Sequence, residues 1–149
     1  MTTPAQYANW LDKCWNEETW TPPWGKAIAG LTAEQAAWKS PGARHSIWML
    51  VLHMSFWRQF KLAELAGAKR DEAAIAAGNW RQPAIITEAA WREAIAELTD
   101  LQARLVATIG QSEDAAGLLR NFIEHDAYHI GQIMLIRAML GLPPLDSFG

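Results

Sequence analysis

Several features are scarce in this chain of 149 residues, and each shortage excludes a class of protein. The single cysteine, Cys14, cannot form a disulfide within the chain, and the first residues show no basic-then-apolar leader, so we expect a cytoplasmic location. Thirteen basic residues stand against 16 acidic ones without a basic cluster, which argues against nucleic acid as a partner. No apolar run approaches the roughly 18 residues of a membrane span, so we expect no membrane partner.

The composition and the spacing of apolar residues predict an all-helical protein. Half of the residues are hydrophobic, so one domain over residues 1–149 with a sizeable core is expected. Apolar residues recur at spacings of three and four, and no strand-like alternation occurs between turn signals. We therefore predict an all-α four-helix bundle with long crossover connections. The four predicted helices cover about residues 4–19, 46–66, 88–109 and 115–140.

Local signals mark where these helices begin and end. Thr87 is placed to cap the third helix. Thr32 opens a capping box that predicts a short helical turn in the first crossover, which is the connection between the first and second predicted helices. Gly67, Gly110 and Gly141 each follow the last apolar residue of a predicted helix. A further helical turn is possible over residues 70–75.

Two histidines four residues apart are the most informative motif. Residues 125–133 read His-Asp-Ala-Tyr-His-Ile-Gly-Gln-Ile, which puts His125 and His129 on one helix face about 6 Å apart along the axis. His53 lies in a second apolar helix. Buried imidazoles need hydrogen-bond partners or an ion, so we predict that His53, His125 and His129 hold one metal ion, with ordinary core histidines as the alternative.

Four neighbouring residues are candidates for supporting roles. Gln132 could contact a ligand or orient a bound water, or else join two helices by a buried hydrogen bond. Asp126 is turned away from His129 and is a better partner for a neighbouring group than a metal ligand. Trp57, one turn beyond His53, is expected to wall a pocket or the core, and Tyr128 is expected to pack with its hydroxyl bonded. The remaining histidine, His45, is expected in a loop or on the surface.

These motifs together resemble the DinB/YfiT-like superfamily of small four-helix bundles. The resemblance covers nearly the whole chain and is carried by residues 125–133, by Ser46-Ile47-Trp48 followed by His53, and by the Trp-Pro-rich first crossover. In that family one histidine from the second helix and two from the fourth hold a divalent metal, which implies that His53, His125 and His129 are the ligands. Characterised relatives include transferases and isomerases that use low-molecular-weight thiols. One departure is Met49, which stands where relatives often have a carboxylate.

Three protein nitrogens would leave open coordination positions, as in a catalytic zinc site. The ion could deprotonate a small thiol or activate water, so we predict a thiol S-transferase acting on a thiol and an electrophilic substrate, with a metal-dependent hydrolase as an alternative. A non-catalytic bundle in which the metal only braces two helices is the other alternative. Imidazole ligands suit zinc first and nickel also.

Two further expectations concern the aromatic residues and the cysteine. Nine tryptophans exceed what a core of this size needs, and aromatic residues are enriched where protein surfaces meet, so we predict a homodimer. Cys14 follows the apolar stripe of the first helix and is expected to pack in the core rather than to react.

Overall fold

The computed structural model describes residues 2–145, which form seven α-helices and no strand. Four of these helices are long and correspond to the four that the sequence predicts, so the predicted all-α class is confirmed. Three shorter helices lie in the crossovers. In chain order the helices are α1 (Pro4–Asn16), α2 (Trp24–Ile28), α3 (Ala33–Ala37), α4 (Ile47–Leu65), α5 (Glu72–Gly78), α6 (Glu88–Ile109) and α7 (Ala115–Met139).

Side-chain caps fix the beginnings of five of these helices, including α3, α4 and α6. The Thr32 hydroxyl accepts from the backbone N–H of Gln35 at 3.1 Å, and the Gln35 side chain accepts from the Thr32 N–H at 3.0 Å, which is the predicted capping box. The Ser46 hydroxyl caps α4, and the Thr87 hydroxyl accepts from the N–H of Ala90 at the start of α6. Each cap satisfies a backbone donor that the helix leaves unpaired.

Glycines in the left-handed region end α4 and α7. Gly67 has a φ of 97° and Gly141 a φ of 71°, values that a side chain with a Cβ rarely adopts. In both cases the next residue donates back across the helix end, from Ala68 N to Ala63 O at 2.9 Å and from Leu142 N to Arg137 O at 3.0 Å. This is the Schellman arrangement, and it makes these two helix ends predictable from sequence.

The structure corrects the sequence prediction in the region before α4. The first helix ends at Asn16 rather than near residue 19, and Glu17 is already extended, because acidic residues are unfavourable at the negative end of the helix dipole. Helix α2 was not predicted, and it begins directly after Pro23, whose fixed φ suits the residue before a first turn. Helix α5 is also longer than the single turn predicted around residues 70–75.

The helices group into two compact units. The terminal unit comprises residues 2–30 and 106–145, and therefore contains α1, α2, α7 and the last turn of α6. Its interior includes a stacked pair, Trp15 and Trp24, with ring centroids 5.2 Å apart. The buried Arg137 guanidinium donates to the carbonyl oxygens of Ala27 and Ala29 at 3.2 and 3.1 Å, which ties the end of α2 to α7. Burial lowers the pKa of Arg137.

The central unit comprises Leu31–Leu105 and contains α3, α4, α5 and most of α6. Trp48 and Trp91 pack with centroids 5.1 Å apart, and the Trp91 indole N–H donates to the carbonyl of Leu31 at 3.2 Å. The fully buried Arg58 donates to Gln102 Oε1 at 2.9 Å. These bonds join α4 and the start of α3 to α6, which fixes the helix that carries His53.

Two predictions from the sequence concern the number of domains and the burial of Cys14. The single domain over residues 1–149 stays a prediction. Cys14 is half-buried on α1 rather than fully packed, because its position lies at the edge of the buried stripe of Ala8, Leu11 and Trp15. No helix within residues 2–145 combines the length and apolar character needed to cross a membrane.

Candidate metal centre

The two histidines of α7 point their ring nitrogens at one place. His125 Nε2 and His129 Nε2 are 3.1 Å apart, and the two rings are nearly perpendicular at an interplanar angle of 86°. Two nitrogens bound to a tetrahedral zinc at about 2.0–2.1 Å would lie about 3.4 Å from each other. The Nε2 pair of α7 is therefore already close to the separation that two ligands of one ion require.

Gln132 sets the protonation of His129. Its Oε1 lies 2.6 Å from His129 Nδ1, and because an amide oxygen only accepts, Nδ1 carries the proton and donates. The lone pair of His129 is then on Nε2, the nitrogen that faces His125. The sequence analysis did not predict a bond between Gln132 and a residue of its own helix. It forms because a spacing of three residues places the side chains of His129 and Gln132 side by side on α7.

His125 is the more accessible member of the pair. Its side chain keeps 25% of its surface exposed, whereas His129 is buried. His125 Nδ1 lies 3.8 Å from the carboxylate Oδ1 of the buried Asp126. Burial first and then the charge of Asp126 raise the pKa of the Cys14 thiol on α1. A supporting role of Asp126 at the metal centre stays a prediction.

Tyr128 does not pack in the interior. Its side chain is 65% exposed, and its ring touches only the edge of the His129 ring among the aromatic contacts of the described residues, at a centroid distance of 5.1 Å. One residue along a helix is a rotation of 100°, which carries Tyr128 from the buried face of His129 to the surface. A supporting role for Tyr128 stays a prediction.

His53 belongs to the central unit. It is 5% exposed, and its Nδ1 lies 2.9 Å from the backbone carbonyl of Asn79, so Nδ1–H donates and Nε2 keeps the lone pair. Trp57 meets the His53 ring edge-on at 6.4 Å, and its predicted role as a wall of a pocket or the core stays a prediction. The Trp57 indole N–H donates to Asn79 Oδ1 at 2.8 Å.

Sequence reasoning missed the contacts of three residues around His53. Asn79 and Trp80 follow α5, in a crossover that carries no motif, and His45 precedes α4. Trp80 stacks on the His53 ring with centroids 3.8 Å apart and on the His45 ring with centroids 3.6 Å apart. His45 is in a loop as expected, and burial followed by the charges of nearby basic residues lowers its pKa. No local pattern could have indicated these contacts, because they join distant parts of the sequence.

The central unit also contains a cleft of about 290 Å³ beside α4. Trp48 and Leu52 form part of its apolar lining, and Arg81, Glu93 and Glu97 supply charge. The lining residues are Trp48, Leu52, Arg81, Gln82, Pro83, Ala84, Ile85, Ala90, Glu93, Ala94 and Glu97. Residues 79–85 therefore border the His53 ring at one end and the cleft at the other.

Comparison with known proteins gives one match. The family model described as DinB superfamily matches residues 24–133, a range that runs from α2 into α7 and includes His53, His125 and His129. No curated protein and no solved structure matches this chain.

Proposed function

This chain belongs to the DinB superfamily, and from that premise we propose that His53, His125 and His129 hold one divalent metal ion in a thiol S-transferase. The superfamily is metal-binding, and each of the three histidines offers one ring nitrogen that could serve as a ligand. The substrates of this proposal are a small thiol and an electrophile.

The observation that carries the proposal is the His125–His129 pair with its Gln132 partner. The 3.1 Å separation of the two Nε2 atoms is close to that of two ligands on one ion. Metal-binding histidines commonly donate their other ring N–H to an oxygen, and His129 does so to Gln132. His53 meets the same requirement through the Asn79 carbonyl. His129 and His53 therefore each present Nε2 as the unprotonated ring nitrogen, which supports the assignment of these two histidines as ligands.

Access to the pair supports a catalytic role over a bracing role. A metal that only braces helices is expected in a sealed core with a complete protein ligand set. The His125 side chain is 25% exposed, so a small molecule can reach this side of the pair from solvent. A sealed pair would have favoured bracing.

The chemistry follows from the donor set. A divalent ion held by three neutral imidazoles lowers the pKa of a thiol or of water and so supplies a nucleophile at neutral pH. In the transfer, the thiol loses its proton to solvent, a sulfur–carbon bond forms and the leaving group of the electrophile departs. Zinc is the proposed ion, with nickel as a second occupant. Small thiols are abundant in the cytoplasm, which we propose as the location.

Metal binding is tested by elemental analysis and by titration of the chelator-treated protein with zinc. We expect one ion per chain in the wild type and much lower occupancy in His53→Ala, His125→Ala and His129→Ala. The matched control is Asn121→Ala, at an exposed polar residue of α7, which should keep one ion per chain. A triple-alanine variant with wild-type metal content would overturn the ligand assignment.

Activity is tested with a chromogenic electrophile and a panel of small thiols. The zinc-loaded protein should accelerate conjugation, and the rate should rise with pH until the thiol is fully ionised and then level off. A folded, metal-free His129→Ala protein should lose this rate. Acceleration that survives in that variant contradicts the mechanism, and zinc-dependent ester hydrolysis without any thiol reaction would replace the transferase with a hydrolase.

A further inference from the structure

Three contacts converge on the His53 ring, two of them from the residues that follow α5 and one from Trp57 on α4. The Asn79 carbonyl accepts from Nδ1–H at 2.9 Å, which fixes the tautomer with the lone pair on Nε2. Trp80 covers one ring face, with a centroid distance of 3.8 Å and an interplanar angle of only 7°. Trp57 meets the ring at its edge. Asn79 therefore sets the tautomer of His53, and Trp80 sets the plane of its ring.

Asn79 is itself held at two points. Its backbone N–H donates to Ile75 at 3.0 Å at the end of α5, and its Oδ1 accepts from the Trp57 indole N–H at 2.8 Å. Trp57 and His53 lie one turn apart on α4, so the same helix supplies the histidine and the brace for its hydrogen-bond acceptor. A change at Trp57 should therefore reach His53 through Asn79.

The approach of α5 to α4 depends on Gly78. A Cβ at this position would lie 2.5 Å from the Phe56 ring. The Phe56 ring itself packs against Trp57 and Phe60, with centroids 5.5 and 5.8 Å away. The end of α5 therefore lies close to α4, with the Asn79 carbonyl within hydrogen-bond distance of His53.

Trp80 is held on both faces. The His45 ring is nearly parallel to it, at 3.6 Å and 12°, and since two imidazoles cannot occupy one face at the same centroid, His45 and His53 lie on opposite faces. Aromatic stacking contributes about 0.5–1.5 kcal/mol beyond the burial of area. The His45 ring thereby limits how far the indole can move away from His53.

We propose that Asn79 and Trp80 are positioning residues for His53, which aim its Nε2 before any metal arrives. This clamp of Asn79 and Trp80 rests on the proposed metal centre. It names two residues of the central unit that influence how tightly the ion is bound. It makes the end of α5, rather than α4 alone, a determinant of how tightly the ion is held.

The clamp is tested in the metal-free protein and then with zinc. Nitrogen-15 NMR of the histidine rings reports the tautomer of His53, whose signal is assigned by its loss in His53→Ala. Zinc affinity is measured by competition with a chromophoric chelator. We expect a single Nδ1–H tautomer in the wild type. In Trp80→Leu, which removes the group that holds the ring plane, we expect zinc binding about 10- to 100-fold weaker, the range found for partners of metal-bound histidines.

Two variants and one control separate positioning from general packing. Trp80→Phe keeps an aromatic face and should recover most of the affinity. Trp57→Phe keeps the ring but removes the donor to Asn79, and should weaken zinc binding several-fold with the fold intact. The control is Trp20→Leu, at a fully exposed tryptophan of the terminal unit, which should change neither measurement.

The outcomes distinguish the clamp from the metal centre. If the wild type binds no zinc, the proposed function fails, and the His53 tautomer in the metal-free protein still decides the clamp. If His53 carries its proton on Nε2 in the wild type, the clamp is wrong. It is also wrong if Trp80→Leu and Trp57→Phe both retain the wild-type tautomer and zinc affinity.

Discussion

Replacing Gln132 should change metal affinity in a direction set by the charge of the new side chain. Gln132 Oε1 accepts from His129 Nδ1–H at 2.6 Å, which keeps the lone pair on Nε2 and limits rotation of the ring. A hydrogen bond between neutral groups contributes about 0.5–1.5 kcal/mol, and 1.4 kcal/mol corresponds to a tenfold change in affinity. Gln132→Ala should therefore weaken zinc binding by about two- to tenfold.

Gln132→Glu should act in the opposite direction. A carboxylate accepts a hydrogen bond about twice as strongly as a neutral amide and makes the imidazole a stronger ligand. We expect tighter zinc binding than in the wild type, measured by chelator competition at pH 7.5. The control is Asn121→Ala, an exposed amide on the same helix. Wild-type affinity in Gln132→Ala, or weaker binding in Gln132→Glu, would refute the assigned role of this bond.

Three further predictions concern the cysteine, assembly and helix packing. Burial raises the pKa of Cys14 above its usual 9.0, so alkylation at pH 8 should be slower than for a free thiol, and alkylation as fast as for free cysteine would contradict this. The stability that the protonated thiol contributes should be lost as pH rises through the raised pKa. The homodimer predicted from sequence is tested at the exposed face of α7: Leu135→Glu should give monomers in sedimentation, and a monomeric wild type at micromolar concentration rejects the dimer. Gly78→Ala should lower the free energy of unfolding in urea by about 1–3 kcal/mol because its Cβ would overlap the Phe56 ring. Gly131→Ala, with open space around it, should be neutral or stabilising, and equal effects of the two substitutions would contradict the close approach of α5 to α4.

Local signals were enough to place the long helices and the pair on α7. Thr32 and Thr87 bond to residues three positions ahead, and Gly67 and Gly141 close helices through bonds that span only a few residues. The side-by-side placement of His125 and His129 follows from the pitch of an α-helix alone, whatever packs around it. These features were predictable because each depends on the conformation of a single turn.

Only the tertiary structure decided which groups surround His53. Its acceptor, Asn79, is 26 residues further along the chain, and Trp80 follows it after α5, where Gly78 lies against Phe56 of α4. A backbone carbonyl leaves no mark in the sequence, since every residue has one. Local patterns therefore indicate which histidines are candidate ligands. The packing of α5 against α4 decides that Nδ1 of His53 donates to a carbonyl, because tautomers are set by partners that folding brings together.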